Sequence, residues 1–182
     1  DEDIYWGSLL AMAEMIASGT TTFADMYSSM DDVAQAAAEI GIRADLSRGC
    51  IESTDHHFNS IRENKDLFEK WHNQADGRIH VRFGPHAPYT CPPDYMSKII
   101  ETAQACQAGL HVHVAETLDE IRQIRESYGK TPVAYLNDLG AFERPTLAAH
   151  CVHVTEEDLE ILAAHQVSVA HCPVSNMKLA SG

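Results

Sequence analysis

The chain has 182 residues, with 13 Lys and Arg against 27 Asp and Glu, which gives a formal charge of -14. So acidic a chain is a poor partner for nucleic acid or anionic lipid, because its field repels phosphate, and no apolar run approaches the ~20 residues of a membrane span. The five cysteines form no CxxC pair, and the opening Asp-Glu-Asp-Ile has no signal-peptide pattern. We therefore expect a cytoplasmic protein of one domain with reduced thiols and with no nucleic-acid or membrane partner.

Short apolar strands alternate with helices along the whole chain. Helices are predicted from amphipathic periodicity and from Gly, Thr or Pro at their ends, and strands from short runs of β-branched and apolar residues. In chain order the predicted elements are helix 3–18, strand 20–26, helix 31–40, strand 43–48, helix 58–74, strand 79–84, helix 94–107, strand 110–115, a helix after 117, a short helix from 131, strand 146–152, helix 155–165, strand 167–172 and a final loop.

This alternation predicts an α/β fold with parallel strands and helices outside them. A doubly wound sheet that binds a dinucleotide would carry a Gly-rich turn after its first strand, and residues 25–31 contain no glycine. Polar residues instead follow the carboxyl ends of several strands, which is typical of a (β/α)8 barrel. Because a complete barrel has ~250 residues, we predict a partial TIM barrel of about six βα units, with residues 1–182 as a single domain.

Histidines follow the carboxyl ends of the last four predicted strands. His86 follows the third strand, His113 and Glu116 end the fourth, His150 ends the fifth, and His171 ends the sixth. Parallel strands bring these ends to one face of the fold, so the side chains are expected to share a pocket, with His171 near a substrate. Imidazole and carboxylate without thiolate form the ligand set of a catalytic zinc or iron site. The alternative is that these histidines are buried core residues with hydrogen-bond partners.

The most specific pattern is His-Val-His-Val-Ala-Glu at residues 111–116. Side chains alternate along a strand, so His111 and His113 share a face and His113 lies nearer the mouth. Glu116 follows the strand and is placed to act as a general acid and base beside a metal held by His113. His150 is expected to orient hydroxide or to stabilise charge on the substrate, and His86, in a stiff Pro-containing loop, to contact the substrate.

Five segments of the chain resemble the amidohydrolase superfamily. Within it they are most similar to the 5-methylthioadenosine/S-adenosylhomocysteine deaminases and to the related triazine hydrolases and guanine deaminases. The similar segments, in the order and spacing of that family, are residues 18–26, 83–88, 111–117, 149–153 and 170–179.

The resemblance implies a (β/α)8 barrel with one divalent metal, usually zinc and sometimes iron. It assigns His113 as a metal ligand, Glu116 as the proton shuttle and His150 as the histidine beside the hydroxide and the leaving group. It also implies that His86 contacts the substrate and that Arg48 binds the distal carboxylate of a nucleoside substrate. The activity it implies is hydrolytic deamination of an aminated purine nucleoside or a similar heteroaromatic ring by metal-activated hydroxide.

The chain departs from the family pattern at its metal ligands. The HxH pair expected after the first barrel strand and the Asp expected after the eighth do not occur, so the chain matches strands two to seven. We therefore expect the 182 residues alone to bind metal weakly or not at all and to be inactive. The alternatives are hydrolysis of an s-triazine, as a chlorohydrolase or aminohydrolase, hydrolysis of a cyclic amide, and a non-catalytic barrel fragment. Open strand edges predict a homo-oligomer.

Overall fold

The computed structural model of the chain describes residues 1–181, which form an α/β fold. The strands are β1 (Thr22–Tyr27), β2 (Arg43–Cys50), β3 (Ile79–Val81), β4 (Gly84–Pro85), β5 (Leu110–Val114), β6 (Thr146–His150) and β7 (Ser168–Ala170). The helices are α1 (Glu2–Ala17), α2 (Met30–Ile40), α3 (Asn59–Trp71), α4 (Gln74–Gly77), α5 (Pro93–Ala105), α6 (Leu118–Tyr128), α7 (Pro132–Asp138), α8 (Glu156–Ala164) and α9 (Pro173–Leu179), with 3-10 turns at Glu52–Thr54 and Ala141–Glu143.

The strands pair in parallel, as predicted, in two sheets that meet at their edges. The first has the order β1-β2-β3, with β4 also paired to β2, and the second has the order β5-β6-β7. A parallel bridge between Phe83 and Leu110 joins the two sheets. The amide of His113 extends the junction, since it donates to the carbonyl oxygen of His86 at 2.9 Å. The carboxyl ends of all the strands therefore lie on one side of the fold.

Apolar side chains pack in two clusters between the strands and the helices. One cluster joins α1 and α2 to β2 and β3 and includes Met12 and Leu46, and the other joins α5 to α8 with β5 and β6 and includes Phe83 and Leu110. Each of these four side chains is at most 2% exposed, and burying one stabilises the fold by roughly 1.5–3 kcal/mol. The two clusters pack the strands against the helices, which sets where the strand ends lie.

The structure differs from the predicted elements in the third strand. The sequence pattern predicts one strand over 79–84, but the structure divides it into β3 and β4. The side chain of Asn64 takes the place of a strand neighbour here: its Nδ2 donates to the Arg82 carbonyl at 2.8 Å, and its Oδ1 accepts from the Gly84 amide at 3.0 Å. Because Asn64 lies on α3, nothing in the local sequence of the strand shows this break.

Two helices also differ from the prediction. The helix predicted over 58–74 ends at Trp71, and the following turn contains Asn73, Ala75 and Asp76 in left-handed backbone conformations. The predicted final loop is instead α9, which begins at Pro173, where the missing amide hydrogen removes no helix hydrogen bond.

Within residues 1–181, no helix combines the length and the hydropathy needed to cross a bilayer.

A histidine and carboxylate cluster at the strand ends

The ends of β5 and β6 bring His113, Glu116 and His150 together. The Nε2 atom of His150 lies 3.2 Å from Nδ1 of His113 and 3.6 Å from Oε1 of Glu116. The side chain of His150 is 6% exposed and that of Glu116 is 15% exposed, so the three groups are largely withdrawn from water. The register places the two strand ends side by side, since Val114 on β5 pairs with His150 on β6, and the positive φ of His150, +75°, departs from the alternation of the strand.

Two more histidines extend the cluster on the same side of the strands. The rings of His86 and His113 stack with centroids 5.1 Å apart, and His111 lies one layer deeper, 6.0 Å from His113. Thr90 hydrogen-bonds Nδ1 of His86 at 2.9 Å, and Ser47 hydrogen-bonds Nδ1 of His111 at 3.1 Å. The expected common face of His111 and His113, with His113 nearer the mouth, is therefore present.

Asn176 is a member of this site that the sequence did not reveal. Its position after the last strand suggests an exposed polar residue, but it is 4% exposed, and its Oδ1 lies 2.8 Å from Nδ1 of His150. Asn176 therefore engages Nδ1 of His150, while Nε2 of the same ring faces His113 and Glu116. The helix α9 that places Asn176 was itself not predicted, so its contact with His150 had no signal in the sequence.

Glu120 is a second residue that the sequence did not assign to the site. Its spacing from Thr117 predicts a capping box at the start of α6, and Thr117 does accept a hydrogen bond from the Glu120 amide at 3.1 Å. The Glu120 carboxylate, however, accepts from the amides of Ala115 and Glu116, each at 2.9 Å. It is 1% exposed and lies beneath the turn that carries Glu116.

Burial sets the pKa values in this region. It lowers the pKa of His113 to about 3, with a further contribution from the positive charges that His86, His111 and His150 would carry. Burial lowers the pKa of His111 to about 4, and it also lowers the pKa of His86, against the opposing charge of Glu116. These imidazoles are therefore neutral near pH 7, the form in which histidine binds a metal.

The donor set of this cluster fits a zinc ion. One ligand atom from each of His113, Glu116 and His150 lies within 4.8 Å of the others. Nδ1 of His113 lies 3.2 Å from Nε2 of His150, which lies 3.6 Å from Oε1 of Glu116, so an ion held by His113 would lie beside the other two groups. Nitrogen and carboxylate donors also suit iron, so the chemistry of the site does not select between the two metals.

His171 and Arg48 line two separate clefts. His171 is exposed and lines a cleft of about 310 Å³ together with His150 and Asn176. Arg48 lines a larger cleft, of about 490 Å³, and its Nε donates to Glu63 at 2.7 Å. The structure thus joins His86, His113, Glu116 and His150 in one cluster and places His171 at its margin. Arg48 is placed elsewhere, already paired with a carboxylate.

A parallel α/β fold with imidazole and carboxylate groups at its strand ends defines a class of metal-dependent hydrolases. Comparison with known proteins agrees with this class. The model of the amidohydrolase family matches residues 1–182, and the chain belongs to that family.

Two curated relatives are 5-methylthioadenosine/S-adenosylhomocysteine deaminases. The protein from Pelotomaculum thermopropionicum is 59% identical over 181 residues, and the one from Thermoanaerobacter pseudethanolicus is 54% identical over 183 residues. Each match covers 100% of this chain and 42% of the relative, so the chain spans less than half the length of these proteins.

Solved structures show the same fold. An adenosine deaminase from Xanthomonas campestris with bound zinc superposes with a TM-score of 0.91 at 32% identity, over 100% of this chain and 42% of that one. Guanine deaminase from E. coli gives a TM-score of 0.90 at 25% identity, over 100% of this chain and 44% of that one. A triazine hydrolase variant gives a TM-score of 0.88 at 21% identity, over 98% and 44% of the two chains, a likeness of fold alone.

Proposed function

We propose that this chain is the central part of a metal-dependent deaminase that releases ammonia from an aminated purine nucleoside. The observation that carries the proposal is the contact of His150 with both His113 and Glu116 at the ends of β5 and β6. Relatives at 54–59% identity are named deaminases of 5-methylthioadenosine and S-adenosylhomocysteine. Triazine hydrolases are similar at 21% identity, so the comparisons favour a nucleoside over a triazine as substrate.

Residues 1–182 are proposed to form a partial (β/α)8 barrel that corresponds to strands two to seven. The parallel order of the strands, with polar residues at their carboxyl ends, supports this architecture. In the complete barrel, further ligands would come from strands that lie outside this sequence. His113 would hold the metal, and zinc is favoured because the Xanthomonas campestris deaminase binds it. When bound, the ion supplies Lewis-acid activation of water near neutral pH.

The chain's own residues would then carry the proton transfers. Glu116 takes a proton from the attacking water and delivers it to the ring nitrogen beside the amino-bearing carbon. The oxygen of the water bonds to that carbon, the bond to the exocyclic amine breaks, and ammonia leaves with the second proton. His150 faces the same point through Nε2 and stabilises the charge that develops there. His86 and His171 lie at the margin of this point, where they would contact the purine.

Arg48 is proposed to contact the distal end of the substrate. Its guanidinium is bound to Glu63, so a substrate carboxylate would have to compete with that pair.

The five free cysteines support a reducing compartment such as the cytoplasm.

A chimera tests the proposal. The 182 residues replace the matching segment of the Pelotomaculum thermopropionicum deaminase, to which they are 59% identical. With zinc, the chimera is expected to deaminate 5-methylthioadenosine, measured as ammonia release and as a change in ultraviolet absorbance. The 182 residues alone are expected to bind zinc weakly and to release no ammonia. Turnover by the isolated chain would refute the second expectation, and a folded, zinc-loaded chimera without turnover would refute the first.

The role of Glu116 is tested in the same chimera. Glu116→Gln removes the group that moves the proton, so activity is expected to fall by about 10²–10⁴-fold while zinc stays bound. Glu126→Gln is the matched control, because Glu126 is an exposed residue of α6 outside the cluster. Activity of Glu116→Gln equal to that of the control would remove Glu116 from the mechanism.

A further inference from the structure

The buried carboxylate of Glu120 supports the turn that carries Glu116. Oε1 of Glu120 accepts from the Ala115 amide and Oε2 accepts from the Glu116 amide, each at 2.9 Å. These two amides lie just beyond the last residue of β5. Both oxygens of the carboxylate are therefore used on the main chain of the turn, and the side chain is 1% exposed.

This arrangement is more than a helix cap. Glu120 is the third residue of α6, and in a capping box the side chain at that position accepts from the amide of the capping residue. Asp158 occupies the same position in α8 and does bond the amide of its cap, Thr155, at 3.0 Å. Both side chains are 1% exposed. Glu120, one methylene longer, reaches past its cap to the residues before it.

The turn that Glu120 supports also joins β5 to β6. Ala115 has a φ of +51°, in the left-handed region that disfavours residues with a side chain. Its carbonyl oxygen accepts from the amides of Val152 and His153, at 3.1 and 2.9 Å, directly after the strand that ends in His150. Ala115 therefore links the turn that carries Glu116 to the residues that follow His150.

We propose that Glu120 is a positioning residue that fixes the main chain of Ala115 and Glu116 so that the Glu116 carboxylate faces His150. The inference rests on the proposed function only for the proton transfers assigned to Glu116. The hydrogen bonds themselves can be measured without any activity. Misplacing a catalytic group by about 1 Å is enough to cost about 10²-fold in rate, so support of this kind affects turnover more than binding.

The first measurement is amide hydrogen exchange by NMR on the 182-residue chain. Glu120→Gln has the same shape but one acceptor oxygen instead of two, so one of the two amides loses its partner. Exchange at Ala115 or Glu116 is expected to accelerate by about tenfold or more, while Val112 and Val114 in the strand keep their protection. Asp158→Asn is the matched control. It removes the equivalent buried charge from α8 and is expected to leave both amides unchanged.

The second measurement is the steady-state rate of the zinc-loaded chimera. Glu120→Gln is expected to lower kcat by about 10–100-fold and to change KM by less than about threefold. Asp158→Asn is expected to leave both kcat and KM unchanged. If the glutamine variant does not fold, Glu120→Asp replaces it, since the shorter side chain keeps the charge but cannot span both amides. Unchanged exchange at both amides, or equal effects of the Glu120 and Asp158 substitutions, overturns the proposal. An inactive unmodified chimera with the expected exchange result refutes only the deaminase function.

Discussion

At the scale of single residues, His72 couples stability to pH away from the site. Its Nδ1 accepts from the Val81 amide at 3.2 Å, and its ring stacks on Phe68 with centroids 4.3 Å apart. Burial lowers the pKa of His72, with a further contribution from the charge of His80. The unfolded chain therefore binds a proton more readily at this residue than the folded chain does, and stability falls as the pH drops below the usual value of 6.5.

We therefore predict that the pH dependence of the free energy of unfolding differs between the native chain and the His72→Asn variant. Asparagine keeps an acceptor for the Val81 amide but has no proton to gain, so the free energy of unfolding should depend less on pH between about 7.5 and 5.5. Urea unfolding measured at both of these pH values checks this prediction. An equal loss of stability in the two proteins on acidification would contradict the contribution of His72.

The residues that could be predicted are those whose position follows from strand periodicity. His113 and Glu116 belong to this group, because a strand fixes which side chains share a face and its end fixes which side chain comes last. Asn176 and Glu120 do not, because each acts through a contact made only after other elements have packed. Arg48 was assigned by resemblance, and its partner Glu63 lies on another element, 15 positions away.

At the scale of elements, the close approach of β5 to its neighbours depends on Gly109. A Cβ at this position would lie 2.3 Å from the Pro145 carbonyl oxygen and 2.8 Å from Nη1 of Arg82. Arg82 donates to that same carbonyl oxygen at 3.0 Å and to Asp45 at 2.7 Å. Two sheets and the start of β6 therefore meet where glycine alone fits.

The expected effect of Gly109→Ala is a loss of about 2–3 kcal/mol in the free energy of unfolding, because backbone must shift to make room. Gly7→Ala is the matched control, since Gly7 lies inside α1 with no heavy atom within 4 Å of its Cβ position. That change should instead stabilise the chain by about 0.5–1 kcal/mol. Thermal unfolding of both variants provides the measurement, and equal midpoints would show that β5 does not depend on Gly109.

Most helices and strands were predicted in the right order because they carry their own periodicity or end signals. The break between β3 and β4 was not predicted, because the side-chain amide of Asn64 on α3 supplies the hydrogen bonds that a continuous strand would make. Helix α9 was read as a loop because the segment is short and rich in small and polar residues. Asn176 of this helix contacts His150, a contact between distant parts of the chain.

At the scale of the whole molecule, β1 and β7 are the outer strands of the described sheets. Among residues 1–181, β1 pairs only with β2 and β7 pairs only with β6, which leaves one side of each strand without a neighbour. Val169 on β7 is 50% exposed. An uncovered strand edge is a template for pairing with another chain, so the 182 residues alone are expected to self-associate through these edges.

Lysine substitution distinguishes pairing of strand edges from nonspecific association through exposed apolar surface. Val169→Lys places a charge on the β7 edge and should shift the chain toward monomer in sedimentation velocity across a range of concentrations. Val174→Lys is the matched control, because Val174 is 74% exposed on α9 rather than on a strand. Both variants change the net charge equally, so an equal shift in both would assign the association to charge or apolar surface. A shift in Val169→Lys alone would assign it to strand pairing, the interaction that neighbouring strands supply in a complete barrel.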